Sequence, residues 1–311
     1  MSMIAVLLGV IPLGVAAEGV LTDRPKVLTT VAPLTDIVRQ VGGGRVDLHG
    51  LIPEGVDSHT FEPAPSDIRF IAEADLIIVN GLHLETPTEK LAAANRKPGA
   101  VVVTLGDRTI ARKDWIFDFS FPQEKGDPNP HLWLNVPYAM RYAELVRDAL
   151  VRLDPVNAPA YRKAAEAYLV TLKRLDEAIF IAVQTIPPKH RKLLTYHDSW
   201  AYFARRYGMA VIGAIQPADF SEPAPRDVAA LIDQLKREKV PAIFGSEVFP
   251  SKVLDQIGRE AGVKFISTLR DDDLPGPTGT PEHTYVGMIV EDVRTMVTAL
   301  GGRAEVLNGI R

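Results

Sequence analysis

Three of the seven histidines in this chain stand in one kind of place. His59, in GVDSHTFEPAPSD, follows a run that reads as a strand. His131, in GDPNPHLWLN, stands at the entrance to a helix, and His197, in LLTYHDSW, comes immediately after a strand. Neutral imidazole is a common zinc ligand, and zinc favours four donors in a tetrahedron. The run Arg270-Asp271-Asp272-Asp273 follows another strand. A carboxylate from it would complete a His3Asp set and offset part of a dication's charge in a dry site. Taken singly, each residue has an ordinary reading as a hydrogen-bonded histidine or a solvated acidic turn. His197-Asp198 also reads as a helix entry, with Asp198 near the positive end of the helix dipole. The donors are far apart in sequence and no compact motif such as HExxH is present, so only the fold can gather them.

The hydrophobic pattern says what that fold is. Strands are predicted at 26–30, 46–51, 76–80 and 101–105, separated by helices at 32–41, 66–74 (with Ser66 as its cap) and 85–95. A helix at 137–153 follows. After the Asp154-Pro155 break comes a segment, 158–186, whose interior holds no proline or glycine before Pro187-Pro188. It would be a helix roughly 40 Å long, with Ala165, Tyr168, Leu169, Leu172, Leu175, Ile179 and Val183 as its apolar stripe. The alternation then restarts, with strands at 192–196, 210–215, 242–245 and 264–269, and helices at 200–207, 225–238, 252–261 and 283–300. This is an α/β chain of two lobes, each a parallel sheet flanked by helices, joined by one long rigid helix. The expected divisions are 25–153, 156–187 for the linking helix, and 190–311. Ligands of open parallel sheets bind beyond the carboxyl ends of the strands. His59 and His131 from the first lobe and His197 from the second would then meet across a cleft.

Composition narrows the function. A net charge of −4 over 311 residues gives no reason to expect nucleic acid as a partner. With no cysteine, disulfides, thiolate zinc sites and a lipid-bearing cysteine are all absent from the chemistry available. Residues 3–17, MIAVLLGVIPLGVAA, are apolar, too short to span a bilayer, and end in small residues, so 1–17 reads as a signal peptide cleaved after Ala17. A soluble, exported, periplasmic protein without a lipid anchor is expected.

Four stretches carry a resemblance: 57–67 (DSHTFEPAPSD) followed by ADLIIVNGLHLE; 130–135 (PHLWLN); 196–208 (YHDSWAYFARRYG); and 267–277 followed by TYVGM. The chain resembles the zinc- and manganese-specific solute-binding proteins of ABC transporters, the ZnuA/TroA-like family, from about Lys26 onward. The resemblance implies that His59, His131 and His197 are metal donors together with an aspartate. Aligning on DDLPGP makes that residue Asp272; aligning on TYVGM makes it Asp273; Asp272 is preferred because the loop is one residue longer than usual. It also implies a Zn2+ ion bound as cargo, an ABC permease in the inner membrane as partner, and no enzymatic activity. A zinc-delivering chaperone is a second candidate partner, and a monomer is expected. Many zinc members carry a histidine-rich loop before the second ligand; here 114–129 (DWIFDFSFPQEKGDPN) has no histidine, and its acids are Asp114, Asp118, Glu124 and Asp127.

Manganese members place a carboxylate at the third ligand, where this chain has His197, and nitrogen donors favour zinc. The rival class is a zinc hydrolase. That would need an open metal position and a general base, and the aspartate would fill the position. His83 and His283 read as loop and helix-start residues, and Glu247 as an outer acceptor for a ligand histidine. With unperturbed imidazoles, protons are expected to compete with metal below about pH 6.5.

Overall fold

Each half of the chain builds the same four-stranded parallel sheet. The computed structural model describes residues 24–216, 223–246, 248 and 252–310; the expected leader at 1–17 and Glu247 lie outside them. In the first half the strands are β1 (Lys26–Thr29), β2 (Asp47–Gly50), β3 (Leu76–Val79) and β4 (Val101–Thr104), in the order β2-β1-β3-β4. In the second they are β5 (Lys192–Thr195), β6 (Ala210–Ala214), β7 (Ala242–Ser246) and β8 (Lys264–Leu269), in the order β6-β5-β7-β8. All pairings are parallel, so the connections must cross over through helices. The chain leaves the first strand of each half toward one edge and the third toward the other, which puts a switch point beside β1 and beside β5. No close internal repeat is visible in the sequence; the shared strand order is a repeat of topology.

The helices are α1 (Ala32–Gly42), α2 (Asp67–Glu73), α3 (Thr86–Asn95), α4 (Val136–Leu153), α5 (Ala158–Gln184), α6 (Ala201–Tyr207), α7 (Pro225–Glu238), α8 (Lys252–Ala261) and α9 (Tyr285–Ala299). The serine cap expected at Ser66 is not formed. Ser66 already has helical backbone angles, and the Ala64 N–H donates instead to Asp67 Oδ2 at 2.7 Å, so an acid ties the entry. Helix α9 begins two residues later than the periodicity predicts, because Thr284 caps it by accepting from the Gly287 N–H at 3.0 Å.

Helix α5 links the halves. Pro159 sits in its first turn, where a missing N–H is harmless. Its stripe of Ala165, Tyr168, Leu172, Leu175, Ile179 and Val183 is buried, with Leu169 only partly so. The stripe enters a hydrophobic core that does not stop at the lobe boundary: Trp133 and Tyr142 from the first half pack in one cluster with Tyr202, Phe203, Tyr285 and Met288 from the second. Hydrogen bonds cross the same seam. Trp133 Nε1 donates to the Asp271 carbonyl and Tyr285 Oη to the Trp133 carbonyl, each at 2.7 Å. Buried Asp36, on α1, accepts from the Tyr285 N–H at 2.8 Å, so a first-lobe carboxylate satisfies the opening turn of a second-lobe helix. No helix among the described residues is long and apolar enough to cross a membrane.

A seam built this way couples the stability of the two lobes. Asp36→Ala, which orphans the Tyr285 N–H, is expected to cost about 1–3 kcal/mol and to lower one shared thermal transition. Scanning calorimetry checks this, and a variant whose endotherm splits into two lobe transitions would contradict it.

Candidate metal centre

The site lies at the carboxyl ends of both sheets. His59 is carried by the loop between β2 and α2, and His131 by the connection from β4 to α4. His197 stands two residues beyond β5, and Asp272 three beyond β8. Strand ends are where a parallel sheet leaves backbone free to project side chains into a crevice, and the seam brings the two sets of ends face to face.

The three histidines converge. His131 Nε2 lies 3.2 Å from His59 Nε2 and 3.3 Å from His197 Nε2, and the donor nitrogens of all three are within 4.8 Å of one another. Zinc–nitrogen bonds of about 2.0–2.1 Å put the edge of a coordination tetrahedron at about 3.3–3.4 Å, close to the two spacings from His131. His131 and His197 are buried, and His59 is open to solvent on one side. Phe121 lies against all three rings, with centroids 5.4, 5.8 and 5.6 Å from those of His59, His131 and His197, and Trp133 stands 5.1 Å from His131. The histidine-free segment 114–129 therefore supplies an apolar wall.

The rings are oriented from behind. His131 Nδ1 donates to Asn129 Oδ1 at 2.9 Å, and His197 Nδ1 to Gln216 Oε1 at 3.0 Å. A side-chain amide oxygen can only accept, so both rings carry their proton on Nδ1 and present a bare Nε2 lone pair inward. Neither amide was found by reading the sequence. The signals were there: Asn129 lies two residues before His131, and Gln216 follows β6 as His197 follows β5.

Electrostatics keep the donors neutral. Burial first, then the neighbouring imidazoles, hold His59 and His131 well below the ordinary histidine value. Burial also lowers His197, opposed by the charge of Asp271, the Gln216 hydrogen bond and Asp57. The pH window expected from free imidazole is thus corrected toward acid, because a proton on any of these rings is poorly solvated.

Asp272 is buried but is not among the donor atoms that lie within 4.8 Å of one another. Its Oδ2 accepts from the N–H of Ser58, the residue before His59, at 3.3 Å. Burial, and then the charge of Asp271, raises its carboxyl well above the usual value. Asp273 faces elsewhere: its Oδ2 accepts from the Gly55 N–H at 2.8 Å, and burial pushes its pKa up to about 6. Of the acids in 114–129, Asp118 turns inward to accept from Asn129 Nδ2 at 2.7 Å, and burial pushes it up to about 6. Asp127 pairs with His83 at the surface. The other histidines lie outside the centre. His49 stacks on Phe70, His190 Nδ1 donates to the Leu300 carbonyl at 3.2 Å, and His283 Nδ1 to the Gly276 carbonyl at 3.1 Å.

Residues 27–299 match the family described as "Zinc-uptake complex component A periplasmic". The zinc-binding protein TroA of Treponema pallidum is 31% identical over 289 residues, covering 92% of this chain and 90% of its own. Its structure superposes with a TM-score of 0.81 over 89% of this chain and 99% of that one. The manganese-binding lipoprotein MntA of Halalkalibacterium halodurans is 29% identical over 304 residues, 96% of this chain and 97% of its own. The iron-binding protein YfeA of Yersinia pestis is 29% identical over 276 residues, 89% and 86% of the two chains. The chain belongs to this family, the metal-binding solute-binding proteins of ABC transporters, which carry a metal ion to a membrane permease and are not enzymes.

Proposed function

We propose that the chain is the zinc-capturing member of such a system, binding one Zn2+ in the periplasm through His59, His131, His197 and Asp272 and delivering it to the permease in the inner membrane. The observation that carries this reading is the convergence of three histidine donor nitrogens within 4.8 Å, with His131 Nε2 close to a tetrahedral edge from each of the other two. Relatives of this fold are named for zinc, manganese or iron, so the choice rests on the donors. Three imidazole nitrogens suit a borderline-soft ion content with four ligands, whereas manganese favours more oxygen. Asp272 supports the reading as the fourth donor because Ser58 ties its carboxylate to the His59 loop, while Asp273 is engaged by Gly55 on the far side. The protein works as a monomer, and a chaperone that loads it is a further partner to look for.

Elemental analysis of purified protein, before and after chelation and reloading, is expected to return one zinc per chain. His131→Ala and His197→Ala are expected to weaken zinc by orders of magnitude in chelator competition, since a closed tetrahedron loses a donor. Wild-type affinity in both variants would remove the site. Asp272→Ala should weaken binding far more than Asp273→Ala, and the reverse order would reassign the fourth ligand.

The pH dependence has two parts with the same sign. Lowered imidazole pKa values keep the three rings ready to bind at and somewhat below about pH 6.5, so they cause affinity to fall only in stronger acid. The raised Asp272 carboxyl must lose its proton to ligate, so affinity rises with pH through its titration and protons appear on binding. Titration calorimetry in buffers of different ionisation enthalpy is expected to detect this release. Asp272→Asn should abolish it; an undiminished release in that variant would exclude Asp272 as a ligand.

A further inference from the structure

Asn129 is completely buried and uses every hydrogen bond its amide can make. Oδ1 accepts from the His131 backbone N–H at 3.0 Å and from His131 Nδ1 at 2.9 Å; Nδ2 donates to Asp118 Oδ2 at 2.7 Å and to the Asp198 carbonyl at 2.6 Å. Asp198 follows His197, so one side chain of the first lobe grips a ligand ring on its own side and the ligand-bearing loop of the other lobe. Gln216, buried at the end of β6, holds the ring of His197 from within the second lobe: Oε1 accepts from Nδ1, and the backbone N–H is fixed by the Tyr196 carbonyl at 2.8 Å.

We propose that Asn129 and Gln216 are positioning residues that set how fast the metal leaves, acting through His131 and His197 without touching the ion. The inference rests on the metal-binding reading above. Both groups do what an outer acceptor must, fixing tautomer and ring direction. Both do it without charge. A carboxylate in the same place would draw the Nδ1 proton toward itself and make Nε2 a stronger donor, tightening the hold on the ion. A neutral amide gives the geometry without that extra grip, which suits a protein that must hand its cargo on. Asn129 is further restricted, because no carboxylate could supply the two N–H bonds to Asp118 and Asp198.

The test uses the full chain at fixed neutral pH. It measures the affinity for zinc by chelator competition, the release rate by chelator chase, and the visible spectrum of the cobalt-loaded protein. Gln216→Glu is expected to slow release and tighten binding by about tenfold with the cobalt spectrum retained, and Gln216→Leu to weaken binding by about 10–100-fold. Asn129→Leu is expected to weaken binding similarly and to alter the cobalt spectrum, because its ring and the opposing loop both lose their anchor. Should Asn129→Leu fail to fold, the Gln216 pair decides the matter. Wild-type release rates in both Gln216 variants would overturn the proposal while leaving the metal reading intact. A wild type that holds no divalent ion would remove both.

Discussion

Gathering three imidazole nitrogens within 4.8 Å creates a conflict that the surrounding structure has to contain. Protonated, the rings would repel one another at close range; neutral, His131 and His197 turn their Nε2 lone pairs toward the same small volume that His59 Nε2 borders. Burial suppresses the first state, since an imidazolium beside Phe121 and Trp133 loses most of its hydration. It leaves the second, which a dication relieves. The site is therefore poised by what it excludes as much as by what it offers, and each excluding element has to be held in place by something else.

That support comes from the seam between the lobes. Two of the clustered histidines come from one lobe and the third from the other, so a small relative shift of the lobes would change the nitrogen spacings directly. The seam resists such a shift by three means: a core continuous through Trp133, Tyr202 and Tyr285, the capping of α9 by Asp36, and the α5 stripe packed along the whole junction. A helix of that length without an interior proline bends little. Between the packed lobes, His59, His131 and Asp272 stand on loops, the class of segment from which the least stable parts of a fold are drawn.

How much of this the sequence disclosed follows from the range of each interaction. Strands and helices depend on local periodicity, and the long segment after Asp154-Pro155 reads as a helix from its apolar stripe alone. The three histidines were legible because a strand end is a local feature and the crevice at strand ends is a property of the sheet. How the two candidate aspartates are engaged was not, because Asp272 and Asp273 meet different loop backbone groups, Ser58 and Gly55, across more than two hundred residues of sequence. The same distance hid Asp36, whose role depends on a helix at the far end of the chain, and the amides behind the rings. Ser66 failed for the opposite reason: a good local cap residue was displaced by the neighbouring Asp67, which makes the entry bond itself.

Charge around the pocket favours a cation without choosing among cations. With the proposed set of three neutral nitrogens and one carboxylate, a bound dication would keep a net positive charge in a dry place, which is costly unless other charges answer it. Asp271 and Asp57 do so at a distance: their charges favour the protonated form of His197 and oppose ionisation of Asp272, the signature of a negative field across the pocket. Such a field draws in any divalent cation and distinguishes poorly among them. Discrimination is then left to the atoms that bond the ion. Relatives that match most of this chain are named for zinc, manganese or iron.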